Sequence, residues 1–130
     1  MISSSEWAII AAEAASDKKA TDIVVLDVAE LLVVTDYFII CTGSNPLQVR
    51  AIANEVEDQL RVRGGIKVVG REGEAEGKWV LLDFIDFVVH VFQQDERDFY
   101  RLEKLWSDAP RLPLPESVTG PVAVTASTEE

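Results

Sequence analysis

Residues 79–106 constrain the fold of this chain most, because they combine two strand-length segments, a tight connection and an amphipathic helical pattern. Residues 79–83 and 87–92 are rich in β-branched and aromatic side chains, and only three residues separate them. This spacing predicts an antiparallel hairpin.

The connection of this hairpin has an unusual composition. Tight turns normally use Gly, Asn or Asp, whereas Phe84 and Ile85 place two large apolar side chains at or beside the tip. Together with Trp79, Asp83 and Asp86 they form a combination of aromatic anchor and charged rim that is typical of protein interfaces. The alternative is that Trp79 packs on the terminal helix, and the residues alone do not separate the two interpretations.

After the second strand the apolar period changes from two residues to about 3.6. One helical face is defined by Phe99, Leu102, Leu105 and Trp106. We therefore predict a single terminal helix whose apolar face lies on the sheet.

The first half of the chain predicts two helices and two strands. Ser3 and Glu6 have the spacing of a capping box that begins a helix, and residues 23–28 follow as a strand. Residues 37–42 form an almost unbroken apolar run, which is typical of a central strand. Asn45 and Pro46 then suit the start of a second helix.

Two glycines at 64–65 end this second helix, and residues 66–69 are predicted to be a strand parallel to the one at 37–42. The glycine-rich and glutamate-rich residues 70–77 are predicted to be a mobile loop. The fold class is therefore α/β, with a mixed, mostly five-stranded sheet flanked by helices. Residues 1–107 are expected to form the single domain, and the proline-rich residues 108–130 a disordered tail.

The charge of the chain restricts its partners. Lys plus Arg number 12 and Asp plus Glu number 23, which gives a net charge of −11. Such a chain repels a phosphate backbone, so direct nucleic-acid binding is not expected as the main contact. A basic partner protein suits this charge, although an acidic balance also simply favours solubility.

The absence of a membrane-length apolar run and of a signal-like start predicts a cytoplasmic protein without membrane association.

Candidate catalytic and metal-binding residues are few. Gly43 and Ser44, between a strand and a helix, resemble the phosphate-binding turn of nucleotidyltransferases, but those enzymes also need converging carboxylates, and the chain has no Asp-x-Asp. A divergent metal-dependent nucleotidyltransferase that uses this turn and Asp83 is the alternative function.

Cys41 and His90 are the single cysteine and the single histidine of the chain. Cys41 is more typical of a buried core residue than of a nucleophile, and His90 is more typical of a sheet residue than of a base. No catalytic residue, cofactor or metal ligand is therefore assigned.

Taken together, these residues resemble the ribosomal silencing factors of the RsfS, or Iojap, family over approximately residues 6–107. The matching positions are residues 36–40, Thr42, Gly43, Ser44, residues 79–83, residues 89–92, Arg97, Tyr100 and residues 102–106. The resemblance implies a nucleotidyltransferase-like core that lacks the catalytic carboxylates. It also implies a function that is not enzymatic.

The resemblance further implies a mechanism. Members of the family bind a universal large-subunit ribosomal protein, of the L-fourteen family, at the intersubunit face. They block joining of the small subunit and so repress translation under nutrient limitation and in stationary phase, and a homodimer is possible for the free protein. Carried over to this chain, and with the turn residues included, the partner-binding surface comprises Trp79, Asp83, Phe84, Ile85, Asp86 and His90. The family commonly has Gly at the position of Ile85.

Overall fold

A computed structural model describes residues 2–119, in which one five-stranded mixed sheet has helices on both faces. The strands lie in the order β1-β2-β5-β4-β3. Their bounds are β1 Thr21–Asp27, β2 Tyr37–Gly43, β3 Gly70–Glu72, β4 Trp79–Asp83 and β5 Phe87–Gln93. The predicted α/β class with a mixed five-stranded sheet is confirmed.

Both predicted helix starts are present. Helix α1, Ser4–Asp17, begins at Ser3, whose side chain and that of Glu6 form the predicted capping box. Helix α2, Pro46–Val62, begins at Asn45, whose Oδ1 accepts a hydrogen bond from the Gln48 N–H at 2.8 Å. These polar caps fix where each helix leaves the sheet.

The pairing of the strands differs from the prediction in one respect. The parallel partner of β2 is β5, and residues 66–69 form no strand. Ile66 and Val68 instead pack, half-buried, against the core, and the chain pairs with β4 in antiparallel register only from Gly70 to Glu72. The predicted loop at 70–77 therefore begins with the short edge strand β3.

Helices α1 and α2 cover the first face of the sheet and enclose the larger core. Strand residues that face them include Val25, Ile39, Cys41, Val80, Leu82, Val89 and Val91. Cys41 is fully buried there. Alternation along the strands sends their other side chains to the second face.

The predicted single terminal helix is wrong. Helix α3, Gln94–Tyr100, and helix α4, Leu102–Leu105, meet at Arg101, whose φ of 52° and ψ of 52° are left-handed. Phe99 and Leu105 are exposed, and only Leu102 and Trp106 of the predicted face pack against the sheet.

A buried ion pair explains this break. Arg97 donates to both carboxylate oxygens of Glu103 at 2.9 Å and to Thr42 Oγ1 of β2 at 2.8 Å. Residues six apart in a continuous helix are about 240° apart around its axis, so they cannot meet. The left-handed Arg101 turns α4 back, so that Glu103 reaches Arg97.

Residues 109–118, which we name the strap, run along the edge of β1. The Asp27 N–H donates to Pro110 O at 2.7 Å, and the Leu112 N–H donates to Val25 O at 2.9 Å. Leu112, Leu114 and Val118 pack against the larger core. The last residues of the strap belong to a short helix, α5, Glu116–Thr119. The predicted disorder is therefore wrong for the strap, whereas residues 120–130 lie outside the described residues. The domain boundary at residue 107 stays a prediction.

Within residues 2–119, no helix combines the length and the apolar character that a membrane span requires.

Candidate functional site

The second face of the sheet is only partly covered. Leu102, Trp106 and Ala109 pack over Ile40 and Phe92, which belong to β2 and β5. The neighbouring part of this face forms the floor of an open groove of about 510 Å³, which we name the sheet groove. It is lined by Leu32, Val34, Thr35, Phe38, Glu72, Leu81, Asp83, Ile85, Val88 and His90.

Apolar side chains stand exposed at the mouth of the sheet groove. Val34, in the segment before β2, is 75% exposed, and Ile85, in the turn between β4 and β5, is 57% exposed. The two segments are tied together because the Asp36 N–H donates to Asp86 O at 2.7 Å. The groove therefore has walls from two different parts of the chain.

The β4–β5 turn sends its two apolar side chains in opposite directions. Ile85 has a φ of 73°, a left-handed conformation that is rare for a β-branched residue and costs on the order of 1–3 kcal/mol. The Asp83 side chain supports it by accepting a hydrogen bond from the Ile85 N–H at 2.8 Å. Phe84 is only 2% exposed and stacks on Phe87 in the larger core, with ring centroids 4.7 Å apart. Of the two apolar turn residues, Ile85 is therefore available for contact and Phe84 is covered by the core.

His90 lies at the floor of the groove and is 5% exposed. Its Nδ1 accepts a hydrogen bond from the Trp79 indole N–H at 3.1 Å, so the neutral ring carries its proton on Nε2. Burial lowers the pKa of His90 from 6.5 to about 4, which keeps the ring neutral near pH 7. His90 Nε2 has no hydrogen-bond partner among the described residues. A buried donor next to the groove is therefore left without a partner in the described part of the chain.

Trp79 orients His90 and lies beside the groove on the same face of the sheet. Its ring stacks on that of Phe92, with centroids 4.9 Å apart, and its centroid lies 4.6 Å from that of Tyr100. Trp79 belongs to the cluster on the second face. Trp79 does not itself line the groove. Trp79 therefore packs against a terminal helix, as the alternative interpretation predicts, and also orients a groove residue. Its role in an interface stays a prediction.

The charged residues at the groove are acidic. Glu72 and Asp83 line it, no Lys or Arg does, and Asp86 is exposed in the adjoining turn. We name Glu72, Asp83 and Asp86 the acidic rim. An apolar floor with an acidic rim is chemically suited to an apolar segment that carries positive charge.

The two parts of the alternative nucleotidyltransferase site lie at opposite ends of the sheet. Gly43 pairs with Gln93, whereas Asp83 pairs with Val88, and five residues of β5 correspond to about 16 Å. A Cβ atom at Gly43 would lie 2.9 Å from Val49 Cγ2, so close packing of α2 requires this glycine. The Ser44 N–H and hydroxyl both donate to Gln48 Oε1, at 2.6 and 2.7 Å. The geometry does not bring this turn and Asp83 into one site.

Cys41 and His90 do not form a catalytic pair either. Cys41 faces the larger core, where burial raises the pKa of its thiol to about 12, whereas His90 faces the groove on the other side of the sheet. In the part of the chain that the structure describes, no three His, Cys, Asp or Glu side chains gather as metal ligands would.

Three of the six predicted site residues, Asp83, Ile85 and His90, line the sheet groove. Groove residues that the sequence pattern did not predict include Leu32, Val34 and Thr35. The sequence contains a feature that could have indicated this wall of the groove: residues 31–34 are four consecutive apolar residues outside any predicted strand or helix.

Comparisons with known proteins agree with this fold. The sequence profile of the family described as "RsfS: Ribosomal silencing factor during starvation" matches residues 2–130. The ribosomal silencing factor RsfS of Bacillus subtilis is 54% identical over 101 residues, which cover 78% of this chain and 85% of that protein. The chloroplastic protein Iojap of Zea mays is 39% identical over 109 residues, which cover 84% of this chain and 47% of that protein.

A solved structure is similar over almost the same length. The crystal structure of a Chromobacterium violaceum protein matches with a TM-score of 0.79 at 36% identity, and the match covers 92% of this chain and 98% of that one. The family profile, the related sequences and the solved structure together show that this chain belongs to the family of ribosomal silencing factors, which are regulators of translation.

Proposed function

We propose that this chain silences translation by docking the sheet groove and its acidic rim on a protein of the large ribosomal subunit, at the face that the small subunit must approach. The partner is a universal ribosomal protein of the L-fourteen family. Bound there, the chain blocks subunit joining by occupying space, without catalysing a reaction.

The observation that carries this proposal is the composition of the sheet groove. Phe38, Leu81 and Val88 line the groove as half-buried apolar side chains, and the acidic rim adds negative charge beside them. Core apolar contacts supply most of the affinity of an interface, whereas charges at its rim mainly steer association and select the partner. Ribosomal proteins are an abundant basic class, and the net charge of −11 suits such a partner.

Sedimentation through sucrose gradients with purified subunits tests the proposal. The wild-type chain is expected to co-sediment with large subunits, to be absent from small subunits, and to reduce the formation of joined ribosomes when it is added before the small subunit. Co-sedimentation with neither subunit, or undiminished joining at saturating concentration, would contradict it.

Charge reversal at the rim identifies the surface. Glu72→Lys with Asp86→Lys changes two exposed groups that make no ion pair in the described residues, and leaves Asp83 to support the turn. We expect slower association with large subunits, and a difference from the wild type that shrinks as salt rises.

The control for net charge is Glu55→Lys with Asp58→Lys. It makes the same change in net charge on α2, which packs on the other face of the sheet. It also removes an exposed ion pair of Asp58 with Arg61 and a hydrogen bond that Glu55 accepts from Gln59, so its melting temperature is measured first to show that it stays folded. If both double variants slow association equally, overall charge and not the rim governs binding.

A further inference from the structure

We propose that Leu32, Val34 and Thr35 form the second wall of the partner-binding site. In this arrangement they enclose one apolar side chain of the ribosomal protein, and a carbonyl oxygen beside that side chain accepts hydrogen bonds from His90 and Thr35. This inference rests on the proposed function and adds to it both a binding element and the chemistry of the segment that it takes.

The exposure of apolar side chains at the mouth of the sheet groove is the first observation. Val34 and Ile85, which both line the groove, are exposed although apolar, while Leu32 packs half-buried against the second-face cluster and anchors the segment before β2. Contiguous exposed apolar surface beside a cavity is typical of an interaction site. Backbone hydrogen bonds fix this segment on the sheet, because the Val28 N–H donates to Asp36 O at 2.8 Å and the Asp36 N–H donates to Asp86 O.

The unused polar atoms are the second observation. His90 Nε2 and Thr35 Oγ1 belong to residues that line the sheet groove, and neither atom has a hydrogen-bond partner in the described part of the chain. Both atoms are buried and expose less than 1 Å², so an acceptor of the partner reaches them only when the groove walls shift on binding. Buried polar atoms are almost always paired in folded proteins. Because the neutral His90 ring carries its proton on Nε2, the groove needs an acceptor, which a peptide carbonyl supplies.

The volume and the charge of the groove select the occupant. About 510 Å³ lies within the range of about 300–1,000 Å³ that is usual for pockets that enclose ligand groups. Glu72 and Asp83 line the same space as Val34 and Ile85, so the inserted segment carries an Arg or Lys next to its apolar residue. A segment of a basic ribosomal protein has this chemistry.

Two neighbouring valines provide a matched test. Val34→Asp places a charge in the groove wall, whereas Val33→Asp places the same charge one residue away, on a fully exposed side chain that does not line the groove. We expect Val34→Asp to weaken binding to large subunits about tenfold or more, while Val33→Asp changes it less than about twofold. Circular dichroism melts should show both variants folded, because both side chains are exposed.

Thr35→Val tests the hydrogen bond separately. This substitution keeps the shape of the buried side chain and replaces its hydroxyl group with a methyl group, which cannot form a hydrogen bond. We expect the melting temperature to stay equal or rise, while the dissociation constant for large subunits rises about two- to tenfold. Unchanged affinity in Thr35→Val would overturn the polar part of the inference.

The outcomes separate the two proposals. If wild-type protein does not bind large subunits, the proposed function fails. If the rim reversal weakens binding while Val34→Asp binds as the wild type does, docking stands and Leu32, Val34 and Thr35 have no part in it. If sedimentation velocity shows that Val34→Asp dissociates a dimer without weakening ribosome binding, the wall contacts a second copy of this chain and the inference is overturned.

Discussion

Trp79 illustrates how one side chain can serve both the fold and the groove. Its indole packs on Phe92 and Tyr100, and its N–H sets the tautomer of His90. The sequence left an aromatic anchor and packing on the terminal helix as alternatives, and it could not reveal that the ring orients a residue of the groove. A loss of ribosome binding after truncation of Trp79 would therefore reflect a change in structure as well as in contact.

Trp79→Ala is expected to lower the free energy of unfolding by about 2–3 kcal/mol, somewhat less than for a fully buried tryptophan. Trp79→Phe should recover much of that loss because it restores the stacking, and it still lacks the hydrogen bond to His90. Chemical denaturation of the two variants measures both effects. A Trp79→Ala variant as stable as the wild type would show that the residue contributes to binding alone.

His90 makes the stability of the protein depend on pH. Its pKa is about 4 in the folded protein and near 6.5 when unfolded, so the unfolded state takes up the proton first as the pH falls. The stabilisation is complete above about pH 6.5 and is lost progressively towards pH 4, by up to on the order of 3 kcal/mol.

The measurement is urea denaturation between pH 7 and pH 5, with His90→Gln as the control. Hydrogen bonding to Arg97 lowers the pKa of Glu103, so the stabilisation from that pair is lost only at a pH below the range of this measurement. The Glu103 carboxylate therefore does not obscure the effect of His90. His90→Gln should flatten the dependence between pH 6.5 and pH 5. An equally steep dependence in this variant would assign it to other groups.

At the scale of elements, the sequence predicted helix starts better than helix ends. Ser3 and Asn45 act through local hydrogen bonds, which their own sequence context specifies. The break at Arg101 depends on Thr42, more than fifty residues away, and on Glu103, both bonded to Arg97. A periodicity of apolar residues contains no information about such a long-range polar contact.

The strap is an element whose removal has a clear expected result. A chain ending at Asp108 loses two backbone hydrogen bonds to β1 and the apolar contacts of Leu112 and Leu114. We expect a loss of about 2–4 kcal/mol and a melting temperature lower by roughly 8–15 °C. The uncovered edge of β1 should also promote self-association.

A chain ending at Thr119 is the control for the strap, because it keeps every contact described for residues 109–118. It should melt as the full chain does. Equal melting of the chain ending at Asp108 would show that the strap contributes little to stability.

At the scale of the whole molecule, the class of fold could be predicted because the central strands and the helices α1 and α2 have strong local patterns. The sheet groove could not be predicted, because it is the part of the second face that α4 and the strap leave uncovered. Its extent depends on where the terminal helix breaks and on the packing of Leu32, Leu102 and Trp106. Neither follows from periodicity alone.

The fully buried Cys41 gives the protein an internal reporter of its own opening. A thiol reagent needs an accessible thiolate, and in the folded state the sheet and both covering helices deny access while the thiol pKa is about 12. The rate of labelling under native conditions therefore measures how often the larger core opens. Because the chain has a single cysteine, every labelling reaction reports on the same site. Labelling with and without ribosomal subunits would show how far docking slows the openings of the larger core.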